Sequence, residues 1–439
     1  MTEMLLSPTT LHANPERVVI LPFTISISPR DSAMGAQSRV SRICDAITAL
    51  TAEQVKTELE TVNRDFTGRH WQTRGIFLER FRQIQALNGG MENLDEDHKA
   101  LIGAYFCHEY SYSAAAVMNP SVVVHPDQTG AGEGINFVMS TRTVGEGHIS
   151  TVSFREGTFF PDGTMDLKPE TDFAVAAKPQ GNNTPLDGAV TVHGHQACPI
   201  SETVLFPVTR SQTNGLEDLR MLTFHDENGS STIMGTYTAY NGRETACECF
   251  ETSDFRSFRL TPLRGAASAH KGLGFFPRKL NGRWAAIGRL DHESIFYLES
   301  DDKYTWNYGD KLLGPEAPWE LIQMGNCGSP IELDEGWLVL THGVGAVRRY
   351  SLGAALLDKD DPRKVLARSK EPLLSPSEDN REGYVPNVIY TCGALRVGDW
   401  IFMPYGVADS SIHFASIKIR DLLAHLGYEA AIAHKDAAE

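Results

Sequence analysis

The chain has 439 residues, a formal net charge of -16, 41% hydrophobic residues and 22% charged residues. That length exceeds one small domain and allows a sizeable core. The acidic balance, with no long block of one sign, excludes the basic face that nucleic-acid binding requires, yet leaves room for a local basic pocket for a small anion.

Seven cysteines are present, an odd number, and the closest pair is Cys247-Glu248-Cys249. That spacing is too tight for a zinc knuckle and the count too sparse for a disulfide scaffold. Reduced thiols in a cytoplasm are expected, with no bound metal. Met1 to Leu6 lacks the basic region of a signal peptide. No window approaches the roughly 18–20 apolar residues of a membrane span, so no membrane partner is expected.

The first quarter of the chain reads as mostly helical. Arg17 to Phe23 is a short strand closed by Pro22. Val40, Ile43, Ile47 and Leu50 recur at helical spacing. Thr51 and Gln54 fit a capping box that starts a helix through Leu59 and Val62. Phe77, Phe81 and Ile84 mark another helix, stopped by Gly89-Gly90, and Asp95 caps a further one carrying Leu101, Ile102 and Tyr105. Residues 1–115 are therefore expected to form a helical N-terminal extension.

From Asn119 the texture changes to short apolar runs between Gly, Asn and Asp turns. Examples are Ser121-Val122-Val123-Val124, Phe137-Val138-Met139-Ser140, Trp337-Leu338-Val339-Leu340 and Trp400-Ile401-Phe402-Met403. Helical periods return only at Ile417 to Leu426. Asn281-Gly282-Arg283-Trp284, Asp334-Glu335-Gly336-Trp337 and Val397-Gly398-Asp399-Trp400 each place a polar turn and a Trp before a strand. These units recur about every 50–65 residues, the period of four-stranded propeller blades, which gives roughly five blades. The expected fold is all-β: a five-bladed β-propeller over residues 116–425, the helical extension before it, and a tail at 426–439. The three Trp residues read as blade core rather than as sugar platforms.

A propeller gathers its site from several blades, so candidates are sought one cluster per blade. They are Asn119 and Arg142, with the Gly145-Glu146-Gly147-His148 segment; Glu217, Asp218 and Arg220; Lys271 and Arg289; His342; and Asn387 and Asp409. Taken singly, Asp218 with Arg220 reads as a turn ion pair, Lys271 and Arg289 as solvated charges, and His342 as a buried imidazole on a carbonyl. The ordered set across the units is what favours a site.

That set resembles glycoside hydrolase family 130, the inverting β-mannoside phosphorylases and related β-mannosidases. Leu216-Glu217-Asp218-Leu219-Arg220 resembles the family's Glu-Asp-Pro-Arg motif, and Phe276-Pro277-Arg278-Lys279-Leu280 its Phe-Pro-Glu/Arg-Lys-Ile segment. Gly336-Trp337-Leu338 to Thr341-His342-Gly343-Val344, Val385-Pro386-Asn387-Val388 and Tyr405-Gly406-Val407-Ala408-Asp409 follow in family order. The resemblance spans residues 115–420. Leu219 stands where the family has proline, Thr341 where Tyr often precedes the His, and Gln323 where phosphorylases tend to have Lys.

The resemblance implies a five-bladed propeller and cleavage of β-mannosidic linkages with inversion, by phosphorolysis to mannose 1-phosphate. Asp218 would be the general acid, its proton relayed through the sugar's 3-hydroxyl. Asn119, Arg142, Glu217, Arg220, Asn387 and Asp409 would bind the sugar, and Lys271, Arg289 and His342 the phosphate. The partners would be a β-manno-oligosaccharide and inorganic phosphate as co-substrate, with no other cofactor; family members are often homo-oligomers. The chemistry agrees: phosphorolysis needs an acid and cations but no base, because phosphate is already an anionic nucleophile. Hydrolysis, the alternative, would need a second carboxylate, for which Glu146 is the candidate. A non-catalytic glycan-binding propeller is the third reading. As an acid, Asp218 must start protonated, so its pKa is expected to be raised, with Glu217 raising it and Arg220 opposing.

Overall fold

The computed structural model describes residues 4–23, 39–70, 72–181, 187–378 and 381–428. The chain divides into two units, one of Glu16–Tyr112 with Thr171–Ala176, the other of Met1–Pro15, Ser113–Glu170 and Ala177–Glu439.

Among its described residues the smaller unit carries the α-helices Arg39–Thr48, Ala52–Phe66, Thr73–Asn88 and Glu96–Tyr105, beside an antiparallel pair of strands, Val18–Pro22 and Cys107–Ser111. Local sequence explains where the helices start and stop. Thr51 and Gln54 form the capping box: the Thr51 hydroxyl accepts the Gln54 N–H at 3.3 Å, and the Gln54 side chain accepts the Thr51 N–H at 2.9 Å. Asp95 accepts the N–H groups of Asp97 and His98. The third helix ends on Gly89, whose φ of 69° suits a residue without Cβ. Phe77, Phe81, Ile84, Leu101 and Ile102 form the shared core, each contributing about 2 kcal/mol by leaving water. Gly103 lets two helices touch, since a Cβ there would overlap the Phe77 carbonyl.

The larger unit is mostly β, in antiparallel meanders of about the expected period. The first runs through Ala116–Val124, Ile135–Val144, Ser150–Phe159 and Met165–Leu167. The second runs through Gly215–His225, Ser231–Tyr240, Thr245–Thr252 and Ser257–Pro262. Gly274–Phe275, Trp284–Gly288, Ile295–Ser300 and Gly309–Leu313 form the third. The fourth contains Gln323–Asn326, Trp337–Gly345, Arg349–Leu357 and Val365–Arg368. The fifth contains Ile389–Tyr390, Trp400–Val407 and Ser411–Lys418. The inner strands are buried along nearly their whole length, as in Trp337–Gly345, because both faces are covered.

The N-terminal boundary differs from the expected one. Met4–Leu6 and Leu11–His12 pair antiparallel with Ser411–Lys418, so the first residues belong to the fifth sheet and not to the helical segment. Edge-strand pairing is a long-range event, and Met4 and Leu11 carry no local sign of a partner some 400 residues away. At the other end, the helix Ile419–His425 packs Leu422 and Leu423 into the core, joined by Leu426 and Tyr428. Residues 429–439 of the expected tail lie outside the described residues. Among the three Trp residues read as core, Trp337 is fully buried, while Trp284 and Trp400 are part-exposed and stacked under lysines. Among the described residues, no helix is long and apolar enough to cross a membrane.

Candidate active site

Two β-bulges build the centre. The pairing of Ala116–Val124 skips between Met118 and Ser121, and that of Gly215–His225 skips between Glu217 and Arg220. In each, the extra residues include one in the left-handed region: Asn119 at φ 50° and Asp218 at φ 55°. Such a conformation costs roughly 1–2 kcal/mol for a residue with a Cβ and re-aims its side chain. Here both side chains turn toward each other, and Asn119 Nδ2 donates to Asp218 Oδ1 at 2.7 Å.

Arg142, from the strand beside Asn119, bridges the two neighbouring carboxylates. Its Nη1 meets Asp218 Oδ1 at 3.0 Å, its Nη2 meets Glu217 Oε1 at 2.8 Å, and its Nε donates to Ser150 Oγ at 3.0 Å. The planar fork of Arg suits this double engagement. Lys271 reaches the other Glu217 oxygen at 2.7 Å. Burial raises the Asp218 carboxyl, but Arg142, Arg220, Lys271 and the Asn119 hydrogen bond outweigh it and hold it below the usual carboxylate range. This reverses the expectation from sequence: three cations converge on Asp218, where the sequence reading weighed only Arg220. The raised carboxyl is Asp409, pushed up to about 6 by burial and by the Asp218 charge, against Arg142 and Arg348.

The cationic side lies around two glycines. Gly272 has φ 95°, and a Cβ there would meet Arg289 Nε at 3.5 Å, Arg220 Nη2 at 3.8 Å and Asn326 Oδ1 at 3.8 Å. A Cβ on Gly325 would meet His342 Cε1 at 2.6 Å and the Arg289 Cδ at 2.8 Å. Arg220 is fully buried; its Nη2 donates to the Tyr390 hydroxyl at 2.9 Å and its Nη1 to the Asp218 main-chain oxygen at 3.3 Å. Its Nε and the Asn326 Oδ1 are buried without a partner. Among the described residues, neither Arg220 nor Arg289 forms an ion pair with a carboxylate side chain. Arg220 is buried and Arg289 part-buried, and a buried guanidinium is costly unless its charge is matched. His342, packed against Tyr390 with ring centroids 4.9 Å apart, is driven well below the usual imidazole value by burial and by Arg289 and Arg220. It is neutral at pH 7 and can donate one N–H without adding charge.

Of the residues singled out in the sequence, Asn119, Arg142, Glu217, Asp218, Lys271 and Arg220 are linked directly, and Asp409, His342 and Arg289 surround them electrostatically. Two stand apart. Among the described residues, no hydrogen bond or ion pair of Asp218 or Glu217 reaches Glu146 or Asn387. Glu146 is exposed at the head of the turn Glu146–His148, and Asn387, at φ 61°, gives its carbonyl to the Tyr350 N–H at 2.9 Å. Lys271 is engaged by Glu217, whereas Arg220 lies with Arg289 around Gly272. Tyr390 and Asn326 were not anticipated. Tyr390 is hidden in the apolar run Val388-Ile389-Tyr390, which reads as plain strand; Asn326 follows Met324-Gly325, where a glycine inside a strand signals close approach.

Residues 186–427, more than half of the chain, match the glycoside hydrolase family 130 model, described as beta-1,4-mannooligosaccharide phosphorylase. That segment holds Asp218, Lys271, Arg289, His342, Asn387 and Asp409; Asn119, Arg142 and Glu146 precede it. The beta-1,2-mannobiose phosphorylase of Listeria innocua serovar 6a is 34% identical over 244 residues, which cover 54% of this chain and 67% of that protein. The 1,2-beta-oligomannan phosphorylase of a Thermoanaerobacter species is 32% identical over 258 residues, covering 57% of this chain and 84% of that protein. The structure of the Listeria innocua beta-1,2-mannobiose phosphorylase in complex with beta-1,2-mannobiose superposes with a TM-score of 0.51. At 22% sequence identity over 71% of this chain and 92% of that one, this is a likeness of fold. With a matched segment of this extent and relatives of this similarity, the chain belongs to glycoside hydrolase family 130.

Proposed function

We propose that this protein is an inverting β-mannoside phosphorylase. The observation that carries the reading is the pair Arg220 and Arg289, two cations beside the glycines Gly272 and Gly325 that, among the described residues, form no ion pair with a carboxylate side chain. A site for water as nucleophile has no use for such a pair; a site for phosphate does. In the proposed reaction a phosphate oxygen attacks the anomeric carbon from the face opposite the leaving sugar. The bond from that carbon to the glycosidic oxygen breaks, and the oxygen takes the proton that Asp218 supplies. Mannose 1-phosphate and a shortened sugar leave. Asn119, Arg142 and Asp409 hold the mannosyl ring; Arg289, Arg220 and the neutral His342 hold phosphate, and Lys271 fixes Glu217.

This assignment answers the low pKa of Asp218. Phosphate bound on Arg220 brings negative charge that offsets the Arg220 pull, and so moves the carboxyl back toward its protonated form. Asp409, with its pKa near 6, supplies a second carboxyl that is part-protonated near neutrality. Glu146, exposed on its turn, supports hydrolysis less well.

The five antiparallel meanders support a five-bladed propeller. Cys392 N–H of the fifth donates to the Pro120 carbonyl of the first at 2.8 Å, and the N-terminal strands complete the fifth, as closure of a ring requires. The seven cysteines are all free thiols, which suits a cytoplasmic enzyme.

The test is release of sugar from β-1,2-, β-1,3- and β-1,4-mannobiose with and without phosphate, following free mannose and mannose 1-phosphate separately. Mannose 1-phosphate formed only with phosphate is expected; equal release of free mannose without phosphate would overturn the reading. Asp218→Asn should lower kcat at least about a hundredfold, the usual scale for a general acid.

A further inference from the structure

We propose that Tyr384 and His148 form an additional glycosyl subsite at the mouth of the site, which stacks on the second sugar beyond the cleaved linkage and sets the preference for longer substrates. The proposal deepens the reading above and rests on it. Tyr384 is a large aromatic side chain left 45% exposed. Its hydroxyl lies 2.8 Å from His148 Nδ1, and the two rings stand 6.2 Å apart at 40°.

Both residues are anchored to the charged centre through one intermediate. The Tyr384 N–H donates to Ser410 Oγ at 2.6 Å, and Ser410 follows Asp409 directly in the chain. Two residues after His148, Ser150 accepts from Arg142 Nε at 3.0 Å. Gly383 must lack a side chain here, because a Cβ would meet the Ala408 main-chain oxygen at 2.6 Å as well as Ser410 Oγ at 2.5 Å, so the loop is held close to Asp409. His148 holds its place in a left-handed conformation, φ 60°, on a turn whose Gly147 is left-handed as well.

A ring with one wet edge and one apolar face is suited to the C–H face of a sugar, and a ring already fixed by a hydrogen bond loses little freedom on binding. In the reading above Asp409 and Arg142 hold the mannosyl ring at the linkage, which leaves the aromatic pair for a sugar further out. The bland alternative is a clasp between two loops, with no ligand of its own.

The experiment compares wild type, Tyr384→Ala, Tyr384→Phe and His148→Ala on mannobiose and mannotriose of the linkage that wild type cleaves. It measures kcat/KM, the KM for phosphate and calorimetric affinity for each sugar. Tyr384→Ala should cost mannotriose about tenfold more than mannobiose, with phosphate KM within about twofold. Tyr384→Phe, which keeps the ring, should retain most of the trisaccharide preference. Equal losses on both sugars, or none, would overturn the subsite and leave a loop clasp. The calorimetric arm needs no nucleophile: a wild type that hydrolyses without phosphate refutes phosphorolysis, while the ratio between the two sugars still decides the subsite.

Discussion

Asp409→Asn should stabilise the protein above pH 7 while it damages catalysis. Asp409 is lifted from 3.8 to about 6 by burial and by the nearby Asp218 charge. A raised carboxyl binds its proton more tightly in the folded chain than in the unfolded one. Its contribution to stability is therefore full below the unfolded value of 3.8 and is lost as pH rises through about 6. The shift of about two units corresponds to about 3 kcal/mol of stability forfeited at pH 7 and above. Asn cannot ionise and does not forfeit it. The assay is urea unfolding of both proteins from pH 4 to 8, without sugar or phosphate. The difference in unfolding free energy should move in favour of the variant by about 2.4 kcal/mol across that range, most of it between pH 4 and 6. A constant offset over the whole range reflects only lost contacts and would refute the reasoning. The same variant should lose affinity for the mannosyl ring.

Three further outcomes follow from the geometry. Gly325→Ala drives a Cβ to within 2.6 Å of His342 Cε1 and 2.8 Å of Arg289 Cδ, so it should raise the KM for phosphate at least about tenfold with little change in sugar affinity. Initial rates against phosphate and against sugar separate the two; equal effects would count against an anion site there. Tyr390→Phe removes the acceptor for Arg220 Nη2 but keeps the ring against His342; it should lower kcat about tenfold through a misplaced Arg220, with the fold intact by circular dichroism. Unchanged kinetics would show that the hydroxyl is only a buried convenience. In the smaller unit, Thr51→Ala removes the cap of the helix Ala52–Phe66 and should cost about 1 kcal/mol, read as earlier melting of helical signal with activity retained.

The parts of the fold that depend on neighbouring residues were legible in the sequence. Thr51 with Gln54, Asp95 and Gly89 mark helix ends because caps are made within four residues. The strands and their period were legible because burial on both faces demands continuous apolar runs such as Trp337 to Leu340. The candidate acid and its companions were legible through an ordered resemblance, since Asp218, Arg142 and Asn119 are residue types the chemistry needs.

What the tertiary structure alone decided is how the charges pair. Arg220 finds the Tyr390 hydroxyl 170 residues away, Lys271 turns to Glu217, and Met4–Leu6 completes a sheet with Ser411–Lys418. The direction of the Asp218 pKa belongs here too, because it sums the fields of Arg142, Arg220 and Lys271, which meet only after folding. Periodicity and capping are short-range and so survive in a linear string. Electrostatic energy depends on distance through space and on exclusion of water, which the order of residues along the chain does not record.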